Sequence, residues 1–365
     1  MTTAQPANGV LAKPGDAIGI LGGGQLGRML ALAAADLGFD VHVLAPDKDC
    51  PASRVARKTW VAPYEDTAAL LEFAASVKVA TIEFENIPTK AVDAIVAAGT
   101  PVRPDSRCLA ISQDRLAEKT FFRDIGIEPA DFARIDKPDQ IQAALDSLGG
   151  AGVLKTRFSG YDGKGQVRLE GQIMPSAAWA GVEAARSILE AWIEHERELS
   201  VILARGADGQ IAIWDPPENV HGNGVLRRST FPSTAPAKVL ERAETLARKL
   251  ASELDYVGVL ALELFLTKDG QLVANEFAPR VHNSGHWTQD ACFTGQFEQH
   301  IRAVVGWPLG DPSRHSDGEM INLLGTEVND WPNYLAAGAK VHLYGKRRTA
   351  DGRKMGHVVK LKPRG

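Results

Sequence analysis

The sequence predicts an α/β domain built on a parallel sheet, then an α+β domain, then a small β-rich closing domain. Three observations carry this. Residues 17–104 alternate short apolar runs with helical segments, the order of a parallel sheet with right-handed crossovers. From about 151 to 276 apolar runs follow one another in mixed order around one long helical stretch, a pattern of antiparallel sheets. Beyond a polar linker at 308–317, residues 319–324 and 340–362 are again strand-like. The expected divisions are 1–112, 113–310 and 311–365.

In the first part, 18–21 reads as a strand, 27–37 as a helix and 41–44 as a strand. Residues 68–76 are a helix, 79–83 a strand and 91–98 a helix, and the run Pro101-Val102-Arg103-Pro104 closes the unit. A further helix is expected at 114–125 with Asp114 as its N-cap. Pro138 and Gly149-Gly150 punctuate the way into the second part. Its strands are expected at 153–155, 165–169, 188–192, 198–204, 210–214, 258–266 and 271–276, with a helix at 237–254. Residues 297–305 read as a last helix.

At 365 residues the chain is long enough for two or three domains and a sizeable core. Charged residues at 24% and apolar residues at 44% are ordinary for a globular protein. A net charge of −4 speaks against nucleic-acid binding by bulk electrostatics. No run of 18 apolar residues is present, so no membrane span is expected. Met1 to Asp16 lacks the basic-then-apolar order of a signal peptide and is expected to be a frayed tail. Cys50, Cys108 and Cys292 are odd in number and far apart, which argues against disulfides and zinc and for a reducing cytoplasm.

The most informative stretch is Lys155 to Gly165, Lys-Thr-Arg-Phe-Ser-Gly-Tyr-Asp-Gly-Lys-Gly. A backbone freed by Gly160, Gly163 and Gly165 can fold over a polyphosphate and donate N–H groups to it. Lys155 and Lys164 can neutralise phosphate charge from two sides. Asp162, beside glycines, can orient a substrate or act on its protons. Far downstream, Glu263 and Glu276 close two apolar runs, and carboxylates so placed suit Mg²⁺ shared with nucleotide phosphates. No G-x-x-x-x-G-K-[ST] occurs, so this is a phosphoryl-transfer site without a P-loop.

Other constellations leave alternatives open. Gly22 to Gly27 matches G-x-G-x-x-G between a strand and a helix. It is read as a dinucleotide site, as a structural turn, or as a seat for the phosphate or ring of another small substrate. Against a dinucleotide, the second strand ends Leu44-Ala45-Pro46-Asp47, so the acid expected at its end lies past a proline. Glu83-Phe84-Glu85-Asn86 ends a predicted strand, where ligands of open α/β sheets sit. Glu190-Ala191-Trp192-Ile193 could hydrogen-bond an adenine through its backbone with Glu198 on the ribose, or the acids that follow could be a solvated edge. The run from Asn275 to Trp287 packs seven polar groups into thirteen residues after a strand. Glu276 with Asn275 would hold Mg²⁺, and Arg280, His282, Asn283 and Ser284 an anionic substrate, with His286 and Trp287 bracing the loop. Lys346-Arg347-Arg348, Arg353-Lys354 and His357 are a solvated basic face or a small-molecule phosphate site.

Three of these motifs, residues 23–29, 160–166 and 275–288, together resemble the ATP-grasp superfamily and, within it, the N5-carboxyaminoimidazole ribonucleotide synthetases. The resemblance runs from about Ile18 to Lys360. It implies an ATP-grasp fold with an N-terminal Rossmann-like parallel-sheet domain and a small C-terminal β-rich domain. It implies a reaction in purine biosynthesis: ATP phosphorylates bicarbonate to carboxyphosphate, and the exocyclic amine of 5-aminoimidazole ribonucleotide is carboxylated. By the same resemblance Arg115, Lys155 and the segment Gly160–Gln166 meet ATP, with Asn275 and Glu276. Glu190 to Ile193 take the adenine, Glu198 the ribose, and His221 lies at the nucleotide. Glu263 and Glu276 ligand Mg²⁺. Gln25, Leu26, Glu83, Tyr161, Asp162, Arg280, His282, Lys346 and Arg353 meet the ribonucleotide, and Asp162 or a neighbouring histidine takes the amine proton. Lys155, Tyr161, Asp162, Arg280 and His282 are the expected catalytic set. A homodimer is the expected assembly. Chains of the family run on past the position of Lys360 while this one ends at Gly365, so a trimmed terminal helix is expected. The competing readings are another ATP-grasp ligase, such as a formate-dependent transformylase, and a dinucleotide binder built on the Gly22–Gly27 turn.

Overall fold

The structure, a computed structural model, describes residues 9–158, 160 and 165–365. Tyr161, Asp162, Gly163 and Lys164, all expected at the site, lie outside the described residues.

The first unit is β1 (Ala17–Leu21), α1 (Gln25–Asp36), β2 (Asp40–Ala45), β3 (Lys58–Val61), α2 (Thr67–Ala75), β4 (Ala80–Ile82) and α3 (Thr89–Ala97). Its strands form a parallel sheet in the order β3-β2-β1-β4. A parallel sheet is covered on both faces, so β1, β2 and β4 are near-continuous apolar runs and stand out in the sequence. β3 is an edge strand with Lys58 and Val61 exposed, and was not among the expected strands. The chain is tied down from Leu11: its N–H donates to Val305 O at 2.9 Å, and Trp307 Nε1 donates to Ala12 O at 3.0 Å. The frayed tail expected as far as Asp16 is corrected by these bonds.

Two helices lead out of this unit, α4 (Ser106–Gln113) and α5 (Arg115–Asp124). Asp105 caps α4 through the Cys108 N–H, and Asp114 caps α5 through the Leu116 N–H, each at 3.0 Å. Next come β5 (Phe132–Ile135), α6 (Ile141–Ser147), β6 (Ala151–Thr156), β7 (Gln166–Glu170), α7 (Pro175–Gly181) and β8 (Ser187–Ala191). Their antiparallel sheet has the order β5-β8-β6-β7, and β6 and β7 flank the glycine-rich segment.

The rest is β9 (Arg197–Arg205), β10 (Ile211–Ile213), β11 (Glu218–Gly222), β12 (Val225–Phe231), α8 (Ala237–Glu253), β13 (Gly258–Leu266), β14 (Leu272–Ala278), α9 (Thr288–Ala291), α10 (Gln296–Val305), β15 (Ser316–Leu324), α11 (Trp331–Ala336), β16 (Lys340–Leu343) and β17 (Lys354–Pro363). These nine strands make one antiparallel sheet, β14-β13-β9-β11-β12-β15-β17-β16, with β10 beside β9. At the seam Arg228 of β12 pairs with Ile321 of β15, and Phe231 with Gly318. The β-rich C-terminal segment therefore extends the central sheet. The pairing satisfies backbone groups that would otherwise form a free edge along β12.

A buried histidine ties this sheet to the first unit, and a buried tryptophan ties the loop after β14 to β12. His300 of α10 accepts the Val259 N–H at Nδ1 (3.0 Å), so its Nε2–H is the donor to Thr81 Oγ1 at 2.7 Å. Burial keeps this imidazole neutral, with its pKa lowered to about 3. One buried ring thereby locks β4 to β13, and with them Glu83 to Glu263. Trp287, fully buried, stacks on Phe231 with ring centroids 4.2 Å apart, a contact worth about 0.5–1.5 kcal/mol beyond its buried area.

Candidate active site

β6, β8 and α5 build one wall from charge. Lys155 Nζ lies 2.9 Å and Lys119 Nζ 3.4 Å from the same oxygen of Glu190, whose other oxygen is buried without a partner among the described residues. Burial opposes ionisation of Glu190, but Lys119 and then Lys155 outweigh it and hold its pKa at about 2. Lys119 also donates to the carbonyls of Ala274 and Asn275. Beside it Glu118 accepts the Phe277 N–H at 2.7 Å, and burial pushes its carboxyl up to about 8. α5 therefore seats the Asn275–Phe277 backbone through two buried side chains. Arg115, at the start of α5, reaches Glu276 Oε2 at 2.9 Å and Gly160 O at 3.2 Å. Lys119 and Glu118 were missed by the sequence reading. Nothing in the sequence marks them, because charged residues on a helix read as solvated and only the packing of α5 against β14 buries them.

The linker after β8 is partly committed. The Ala191 and Trp192 amides donate to Asp131 O (2.7 Å) and Ala151 O (3.0 Å). The Ile193 amide meets no acceptor among the described residues. The Arg168 guanidinium lies 4.0 Å from the centre of the Trp192 ring. Glu198 of β9 stands between two histidines, His221 Nδ1 at 2.6 Å and His195 Nε2 at 3.5 Å. Burial lowers the His221 pKa, but the bond and charge of Glu198 outweigh it and the net shift is upward.

Glu263 and Glu276 are cross-strand partners in β13 and β14, beside a register shift. His282 Nε2 is 3.0 Å from Glu263 Oε1. Burial opposes the charge on Glu263, but His282, His221 and Lys354 hold its pKa at about 2. Arg280 pairs with Glu85, whose pKa is likewise about 2 because Arg280 outweighs the cost of burial. Lys354, expected only in a basic cluster, thus acts on Glu263.

The glycine turn differs from expectation. Both oxygens of Glu83 are taken by its amides, Gly24 N–H at 2.7 Å and Gly27 N–H at 3.0 Å. The anion at the start of α1 is the protein's own carboxylate. A Cβ on Gly24 would sit 2.6 Å from Glu83 Oε1, so the turn must be glycine to admit it. The amides of Gln25 and Leu26, first in α1, have no intrahelical acceptor by helix geometry, and the Leu26 side chain is in the core.

Asn283 and Ser284 correct the expectation of direct substrate contact. Asn283 exchanges paired amide bonds with Asn322 at 2.8 and 3.0 Å. Ser284 is fully buried, its hydroxyl shared between Ser200 (2.7 Å) and His282 (2.8 Å). Both brace the loop from behind. His357 is also fully buried, bonded to the Tyr344 hydroxyl at 2.9 Å, so it leaves the basic face. On that face Lys346 donates to Lys354 O at 2.7 Å and Arg353 to Arg348 O at 2.8 Å. His286 and Trp287 are buried braces, as expected.

Known proteins share this architecture throughout. Residues 16–113 match the ribonucleotide synthetase preATP-grasp domain, 120–297 the ATP-grasp domain, and 319–364 the phosphoribosylaminoimidazole carboxylase C-terminal domain. Fold and cleft are those of an ATP-grasp ligase. The N5-carboxyaminoimidazole ribonucleotide synthase of Brucella melitensis is 52% identical over 96% of this chain and 98% of its own. The Thermus thermophilus synthetase structure superposes with a TM-score of 0.87 at 38% identity, covering 94% of this chain and 93% of that one. The Aspergillus clavatus enzyme, solved with ADP and 5-aminoimidazole ribonucleotide, gives a TM-score of 0.89 at 27% identity, covering 96% and 94%. This chain belongs to the N5-carboxyaminoimidazole ribonucleotide synthase family.

Proposed function

We propose that this chain carboxylates the exocyclic amine of 5-aminoimidazole ribonucleotide with ATP and bicarbonate. The observation that carries the reading is the 52% identity to the Brucella synthase over nearly the full length of both chains. A bicarbonate oxygen attacks the γ-phosphorus and ADP leaves. The amine nitrogen then bonds to the carboxyl carbon of carboxyphosphate, or to CO₂ released from it. Phosphate departs and the amine gives up a proton. Carboxyphosphate is short-lived in water, so the segment Gly160–Gln166, with Tyr161 and Asp162, is assigned to closing the site.

Lys155 and Arg115 are assigned to the ATP phosphates, where fixed cations stabilise the transferred group. Glu190, tied to both lysines, holds Lys155 in place. The Ile193 amide and the edge at Ala191–Trp192 face the adenine, and Glu198 with His221 the ribose. Gln25 and Leu26 through their amides, with Glu83, Arg280, His282, Lys346 and Arg353, are assigned to the ribonucleotide.

Magnesium fits the two facing carboxylates. Hard oxygens of like charge opposed across a strand pair are unfavourable without a cation. Among the described residues no three His, Cys, Asp or Glu gather as a cation site. Glu263 and Glu276, beside Asn275, would therefore hold Mg²⁺ together with phosphate oxygens, as this ion prefers. When bound it would neutralise charge on the phosphates. We further propose domains divided near 112 and 310, a homodimer, and a cytoplasmic location. Three buried free thiols support a reducing compartment. No helix among the described residues is long and apolar enough to cross a membrane.

Labelled bicarbonate tests the reading. Label should enter an acid-labile product only when ATP and the ribonucleotide are both present. Incorporation with neither, or none with both, would remove it.

A further inference from the structure

We propose that Ser200, Asn219, Ser229 and Ser284 form a buried hydrogen-bond relay that holds His282 as its neutral Nε2–H tautomer, donating into the cleft. The relay belongs to a polar row across the central sheet. Glu276 of β14 pairs with Glu263 of β13, Glu263 with Ser200 of β9, and Asn219 of β11 with Ser229 of β12. Ser200 and Asn219 join the two halves of the row through a 2.9 Å bond.

The direction of each bond follows from what each group can do. The Ser284 backbone N–H points at His282 Nδ1 at 3.4 Å, and an N–H can only donate. Nδ1 is therefore an acceptor, and the Ser284 hydroxyl 2.8 Å from it is a second donor. Having given its hydrogen, Ser284 Oγ accepts from Ser200 Oγ at 2.7 Å. Ser200 in turn accepts from Asn219 Nδ2. That turns Asn219 Oδ1 to the Ser229 hydroxyl, which donates at 2.7 Å. At the far end Nε2 faces a Glu263 oxygen at 3.0 Å, and an ionised carboxylate accepts only. Running the chain backwards would place Nδ1–H against a backbone N–H. It would also set a bare nitrogen lone pair against a carboxylate.

Ser200, Ser229 and Ser284 are fully buried and Asn219 is 6% exposed, so a bond lost here is not replaced from solvent. The four are positioning residues that act through His282. Resting on the carboxylation reading, the inference gives His282 the role of hydrogen-bond donor to carboxyl or substrate oxygens. A neutral imidazole whose Nε2 carries hydrogen does not take the amine proton there, so the proton goes to another group.

The test is histidine ¹⁵N NMR on the full chain without ligands, with the His282 signals assigned by their loss in His282→Gln. Wild type should show a pyrrole-like Nε2 and a pyridine-like Nδ1. Ser284→Ala should blur this into mixed tautomers, and Ser284→Thr, which keeps the hydroxyl, should restore it. Asn219→Asp, an acceptor in place of a donor, should pull the chain the other way and move hydrogen onto Nδ1. Ser200→Ala should lower kcat about tenfold, the usual effect of removing a partner behind a site residue, with KM for ATP unchanged. A wild-type Nδ1–H form, or an unchanged pattern in Ser284→Ala, overturns the relay. Absence of ribonucleotide carboxylation in wild type would overturn the reaction while the tautomer still decides the relay.

Discussion

Glu263 and Glu276 face each other from adjacent strands, each restrained by a different nitrogen group, His282 at 3.0 Å and Arg115 at 2.9 Å. Each carboxylate is thus oriented by a group on another element, α5 for one and the loop after β14 for the other. The pair sits beside a register shift, an irregularity that sheets often carry next to active sites.

Replacing Glu276 by Gln removes one charge of this pair. Phosphate release should fall by about 10²–10³-fold, the scale of losing one electrostatic stabiliser. The unliganded melting temperature should hardly move, while the rise caused by Mg-ATP should shrink. Kinetics and thermal melts on one preparation check both, and normal turnover would remove Glu276 from the metal site.

Lys119→Met should cost about 3–5 kcal/mol of stability, because it takes one of two cations from a buried carboxylate. Lys119 is fully buried and Glu190 nearly so, leaving solvent little room to compensate. Urea unfolding measures this directly, and a change under 1 kcal/mol would mean that Lys155 alone suffices.

Stability should respond to pH in two windows. Glu85, Glu190 and Glu263 have folded pKa values of about 2 against an ordinary 4.5. A depressed carboxyl contributes stability above its unfolded value and loses it as pH falls toward the folded one, so the urea midpoint should drop between pH 4.5 and 2. Glu118 acts oppositely. Raised by burial to about 8, it opposes folding increasingly as pH climbs from 4.5 to 8. Glu118→Gln should flatten that second slope.

Glu83→Ala leaves the Gly24 and Gly27 amides without their carboxylate and should cost about 1–3 kcal/mol. Chemical denaturation checks it. An unchanged midpoint would mean that water replaces Glu83 at the turn.

Lys346→Ala should raise KM for the ribonucleotide about ten- to a hundredfold, the range of a hydrogen bond to a charged group, with KM for ATP little changed. Equal effects on both would count against a substrate-phosphate role.

Legibility in the sequence tracked burial and periodicity. β1, β2, β4 and β13 were readable because they are near-continuous apolar runs, as strands covered on both faces are. β3, β11 and β12 were not: Glu218-Asn219-Val220-His221 carries the polar row, so its alternation is hidden by function. Lys155, Glu263 and Glu276 stood out as charges set in or after apolar runs, and the structure places the two glutamates opposite each other. Lys119 and Glu118 did not stand out, since a charged pair on a helix reads as solvated until β14 is seen to cover it. The Gly22–Gly27 turn was recognisable as an anion seat, but its occupant, Glu83, is about sixty residues away and only the sheet order β1-β4 brings it there.

Carboxylation by this chain is measured by phosphate release from Mg-ATP and bicarbonate, with and without 5-aminoimidazole ribonucleotide, alongside loss of the ribonucleotide's free amine. Release should rise with the ribonucleotide and match amine loss mole for mole. Release indifferent to the ribonucleotide, or seen only with formate and another amine, would contradict carboxylation by this chain.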